Sequence, residues 1–129
     1  MRALLRRRAA TPPGRRCRRW DDRGVSMLEF AGFLPILLVV GMAAIQLGLI
    51  GYGINQAGSG ARAAARAASQ HRDGAAAGQA AVSGWLNPQP AVQEGADTTT
   101  AAVTVNVPNV IPLLSDWRVT RHATMPTDH

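Results

Sequence analysis

From Phe30 to Ala61 the chain carries no charged residue, and Phe33 to Ile54 within that run is mostly Leu, Ile, Val, Gly, Ala and Met, with one Gln. About 20 apolar residues in helical form cross a hydrocarbon core of about 30 Å. The run from Val25 to Gln56 makes a helix of about 48 Å at 1.5 Å per residue, enough to span with tilt or to project beyond the lipid. It is too long for a cleaved secretory signal, whose apolar core is about 7–15 residues. In a chain of 129 residues, the part left after this helix is too small to bury it. A single membrane-spanning helix is therefore expected.

Charge sets the expected orientation. Nine of the fourteen arginines and two acids fall in residues 1–24, a net charge of +7; the rest of the chain carries −1. Only Arg62, Arg66 and Arg72 closely follow the apolar run. The positive-inside bias places the N-terminus in the cytoplasm and the C-terminus outside, as in a single-pass protein of the bacterial cytoplasmic membrane. The basicity belongs to the leader and not to a folded face, which argues against nucleic acid as a partner. Cys17, the only cysteine, has no partner for an internal disulfide and lacks the small and apolar residues that precede a lipidated cysteine.

Small residues recur along the apolar run at Gly41, Ala44, Gly48, Gly51, Gly53 and Ala57. Ala44 and Gly48 stand four apart, as do Gly53 and Ala57, a spacing that lets helices approach closely. Pro35 removes one helical hydrogen bond and is a candidate kink. The lipid bilayer is the first expected partner, and a packed neighbouring helix the second.

Beyond the run, residues 57–86 are Ala-rich and predict a helical extension to about Arg72, a break near Asp73, and a second helix reaching Trp85-Leu86. Asn87-Pro88-Gln89-Pro90 ends it. Val103-Thr104-Val105-Asn106-Val107 alternates apolar and polar residues and predicts a strand. Pro108-Asn109 and Pro112 bracket a loop. Trp117 to Met125 is a second candidate strand, with Trp117, Val119 and Ala123 on one face. A hairpin of these two is expected to pack on Trp85, Val82 and the Ala-rich helix, since two strands alone are marginal in water. The predicted fold is α+β. A basic leader (1–24), a transmembrane helix (25–56) and an Ala-rich extension (57–86) precede a small β-hairpin domain outside the membrane (87–129).

No enzymatic chemistry is legible, and no cofactor or metal is expected. His71, His122 and His129 lack neighbours at metal-ligand spacing. The serines have no nucleophile motif around them, and Gly58-Ser59-Gly60 lacks the Lys and preceding strand of a phosphate loop.

Glu29 is the most informative single residue, because a carboxylate at the start of an apolar helix is costly to bury in lipid. Its context is Arg23-Gly24-Val25-Ser26-Met27-Leu28-Glu29-Phe30. This resembles the processing site of type IV prepilins and pseudopilins. In that family a basic leader ends in Gly, an aspartyl membrane peptidase cuts after it, and the fifth mature residue is Glu. The resemblance implies cleavage between Gly24 and Val25, with Glu29 and Phe30 at the fifth and sixth mature positions. A Gly before the bond leaves the backbone unobstructed. By family resemblance, the new α-amino group of Val25 pairs with Glu29 of a neighbouring subunit and sets their axial offset.

The likeness extends to TadE-like proteins of tight-adherence (Tad, Flp-type) pilus systems. It rests on Arg23-Gly24, Glu29-Phe30, Pro35, Gly48, Tyr52 and Asn55, followed by Gly60-Ala61-Arg62-Ala63-Ala64-Ala65-Arg66. A Val/Thr strand and a later Ala123-Thr124-Met125 strand are similar too. Gln46 departs from the pattern, standing where many members place an acid. The resemblance implies a pseudopilin-like component of a pilus assembly or secretion apparatus. Its implied partners are pilin-like or other pilus assembly membrane proteins and a prepilin peptidase. Two other readings stand beside it: an uncleaved signal-anchored protein binding an unrelated partner, and a tethered binder of anionic lipid or nucleic acid through the arginines.

Overall fold

The computed structural model describes residues 21–129. Residues 1–20, with Cys17 and most of the arginines behind the orientation argument, lie outside the described residues. Helix α1 covers Asp21–Ser69, α2 covers Gly74–Ala80, and a single 3-10 turn covers Gly84–Leu86. Three strands follow, β1 at Gln89–Glu94, β2 at Thr98–Val107 and β3 at Trp117–Pro126. They form one antiparallel sheet in the order β1-β2-β3. This is an α+β chain with one helix long and apolar enough to cross a membrane.

The chain divides into two compact units, one ending at Ile36 and one running from Leu37 to His129. In the first, every side chain from Gly24 to Ile36 is exposed, the large apolar Met27, Leu28, Phe30 and Phe33 among them. Pro35 lies inside α1 without ending it.

In the second unit the core lies between α1 and β2. The strand alternates strictly, burying Thr99, Ala101, Val103, Val105 and Val107 while their neighbours stay half-exposed. The helix answers with small residues only, Ala57, Ala61, Ala64 and Ala65, all fully buried. An alanine stripe brings the helix close to the pleated strand, and valine on the strand fills the space left. Val82 and Leu86 close this core, with Leu49, Ile50 and Val119 packed at its margin. Trp85, expected to pack under the hairpin, is instead 54% exposed, and Leu86 takes the buried place. The 3-10 turn makes that exchange, because a tighter turn rotates successive side chains further apart than an α-helix does.

Three boundaries differ from expectation. Helix α1 stops at Ser69, short of Arg72, in a turn where His71 takes a left-handed conformation (φ 59°). The His71 amide donates to the Ala68 carbonyl (2.9 Å) and the Arg72 amide to the Ala67 carbonyl (2.8 Å), a Schellman closure with His where Gly is usual. Helix α2 ends at Ala80, well before Trp85. A strand also forms where only a helix stop was read: β1 pairs Pro90 with Val103 and Val92 with Ala101. Pro90 is tolerated because β1 is an edge strand, where a missing N–H need not break a ladder bond.

Candidate functional site

The structure offers an exposed apolar helix, and beside it a clasp that fixes the small domain to that helix. The residues of the expected processing site, Gly24, Val25, Glu29 and Phe30, are consecutive turns of α1 and all exposed. Exposure continues through Gly41, with Leu37, Leu38, Val39 and Val40 each more than half exposed. Burying one such side chain is worth about 1.5–3 kcal/mol. A bare stretch of this composition is therefore stable only in lipid or against other apolar helices.

The small residues expected to pack helices separate into two groups. Around Gly41 and Gly48 nothing lies within 4 Å of an added Cβ, and Ala44 is exposed. These positions, with Pro35, stand on the uncovered part of α1. Gly53 and Ala57 instead face the chain's own sheet. A Cβ at Gly53 would sit 2.6 Å from Val107 Cγ2, and Ala57 is fully buried. Their four-residue spacing serves an intramolecular contact.

The same device recurs between α1 and α2. Gly74 and Gly78 in α2 lie against Ala64 and Gly60 of α1. A Cβ at Gly74 would meet the Ala64 carbonyl oxygen at 2.7 Å, and one at Gly60 would meet the Gly78 carbonyl oxygen at 3.2 Å. Asp73 caps α2, its Oδ1 accepting from the Ala76 amide at 3.0 Å.

Gln46, noted only as a departure from pattern, proves structural. It is buried within the apolar run, and its amide grips the chain just past β2. Its Nε2 donates to the Pro108 carbonyl (3.4 Å), and its Oε1 accepts from the Val110 amide (2.8 Å). A carboxylate could accept the second bond but not donate the first. One turn and a half along the helix, Tyr52 stacks on Trp85 with ring centroids 5.8 Å apart. The Tyr52 hydroxyl also shares a 2.9 Å hydrogen bond with Ser83. Among the described residues no group of three His, Cys, Asp or Glu is placed to hold a metal.

Apolar helix and small sheet define the class, an α+β chain built on one candidate membrane span. Residues 24–66 match the family of TadE-like proteins. The match begins at Gly24 and ends within α1, so it covers the helix and not the sheet. No curated protein and no solved structure matches the chain. The apolar helix fits a single-pass membrane protein.

Proposed function

We propose that this chain is a pseudopilin-like component of a Tad/Flp-type pilus assembly or secretion apparatus, cut after Gly24 by a prepilin peptidase and packing through α1 with pilin-like neighbours. The observation that carries this reading is the family match over 24–66, whose first residue is the glycine of the expected cleavage site. Three features support it. Glu29 is exposed and free to meet a cationic terminus on a neighbour. The helix around Gly41, Ala44 and Gly48 presents small residues on an uncovered stretch. The domain past α1 packs on the helix through Ala57, Ala61 and Gln46 and leaves Gly41, Ala44 and Gly48 uncovered.

In this reading the N-terminus is cytoplasmic and the sheet lies outside the cytoplasmic membrane. A peptidase must unwind the first turn of α1 to reach the Gly24–Val25 bond, and Gly gives up helical form at little cost. The cost of Glu29 in lipid is offset by pairing with the α-amino group of Val25 on the next subunit.

A photo-crosslinking residue placed at Val39, in cells that carry the whole pilus machinery, tests the helix contact. The expected product is an adduct with a pilin-like subunit, identified by mass spectrometry, that is absent when the label sits at exposed Arg118. Lipid adducts alone at Val39 would contradict the packing role and favour a plain signal-anchored protein.

A further inference from the structure

We propose that the loop between β2 and β3, residues 108–116, is a second membrane contact, dipping Leu113 and Leu114 into the bilayer interface beside α1. This rests on α1 spanning the membrane, and the loop's own features carry the rest.

The loop lies where the covered part of α1 gives way to the bare part. Strand β2 descends along the helix towards its N-terminal end: Val103 lies by Gly60, and Val107 by Gly53. Val110 then hydrogen-bonds to Gln46. Three residues of extended chain and seven of helix both advance about 10 Å, so loop and helix keep step to Gln46. Immediately before Gln46 the helix is exposed at Ala44 and Ile45. The 21 residues from Val25 to Ile45 make about 31 Å of helix, close to one hydrocarbon thickness of about 30 Å. The sheet covers one face of the helix from Gln46 onward, and that face cannot also face lipid. On that face lipid contact ends near Ile45, which sets the loop at the interface, while the opposite face stays open at Leu47, Gly48 and Gly51.

Its chemistry fits that depth. From Val107 to Ser115 there is no charged residue. Leu113 is 106% exposed and Leu114 is 50% exposed, and Val110 adds to the same uncovered patch. Leu113 also holds a left-handed backbone (φ 82°), a conformation that Leu rarely adopts. Leu113 is thus fully exposed in a conformation that Gly or Asn would adopt more easily.

Three of the loop's backbone donors are paired, two within the loop and one to α1. The Val110 amide donates to Gln46, the Ile111 amide to Asn109 Oδ1 (3.1 Å) and the Leu114 amide to the Ile111 carbonyl (3.4 Å). Asn109 Nδ2 in turn donates to the Leu114 carbonyl. Pro108 and Pro112 have no N–H to satisfy. A segment leaving water needs its polar backbone groups paired in this way.

The test uses the full chain with Cys17→Ser, placed in nanodiscs of phosphatidylcholine and phosphatidylglycerol. A polarity-sensitive fluorophore is attached in turn at Leu113→Cys, Leu38→Cys and Ala96→Cys, the last at the exposed β1–β2 turn. The Leu113 label is expected to emit blue-shifted, to resist iodide several-fold better than the Ala96 label, and to be quenched by lipids with a spin label near the headgroup. Iodide quenching at Leu113 equal to that at Ala96, with Leu38 protected, would overturn the proposal while leaving the spanning helix intact. Aqueous behaviour at Leu38 as well would overturn both.

Discussion

At single residues the outer unit depends on what is missing as much as on what is present. At Gly74 an added methyl meets a backbone oxygen at 2.7 Å and the Ala68 Cβ at 2.9 Å, neither of which can swing aside. Gly74→Ala is expected to cost about 1–3 kcal/mol. At Gly58, on α1, the nearest atom is the tip of the Arg62 side chain at 3.6 Å. There Gly→Ala should stabilise by about 0.5–1 kcal/mol, since only helix propensity changes. Urea unfolding in detergent, followed by circular dichroism, distinguishes these opposite signs. Gln46 gives a local readout. Gln46→Leu removes both bonds to the 108–110 segment and leaves the Val110 N–H without its acceptor. A loss of about 1.4 kcal/mol, within the range for such a bond, makes the Val110 amide exchange about tenfold faster. Exchange unchanged at Val110 would show that the clasp does not hold the loop. The role of Gln46 was not legible in the sequence, because its partners stand more than sixty residues away. Only its polarity inside an apolar run marked it.

At the level of elements, the legible parts were those with a clear period. The strict alternation of Val103 to Val107 predicted β2, and the register of β3 follows from a similar alternation, with Val119 opposite Val105 and Ala123 opposite Ala101. The charge-free run likewise announced α1. Strand β1 was hidden because Asn87-Pro88-Gln89-Pro90 at its start read as a helix stop, and only its edge position makes that composition acceptable. The early end of α1 was hidden for a related reason. His71 performs the turn that a glycine would have advertised. Helix α2 has seven residues, too few to stand alone, and depends on its cap and its glycine contacts with α1. Asp73→Ala should therefore cost about 0.5–2 kcal/mol in the same urea titration, with Asp73→Asn largely neutral. Equal losses for both would point to the charge and not the cap.

For the whole molecule, the sequence presents two kinds of surface on one long helix. From Gln46 onward, one face is committed to the chain's own sheet through alanine, glycine and valine. Before Gln46 the helix is apolar and mostly exposed, and among the described residues nothing lies within 4 Å of a Cβ built at Gly24, Gly32 or Gly41. That asymmetry suits a subunit whose domain folds on its own helix while the remainder is left for lipid and neighbours. The family match falls on the helix, which explains why recognition came from residues 24–66 while the sheet had to be read from its alternation. The residues of the proposed processing site are exposed and share one helix, and their recognition by a peptidase is a property of two proteins together. The measurement that decides it is the mature N-terminus, by intact mass and N-terminal sequencing of membrane-extracted protein co-expressed with its prepilin peptidase. The account predicts a terminus at Val25, lost when Gly24 is replaced by a bulky residue. An intact Met1 terminus, with the same peptidase active on a control pilin, would contradict it.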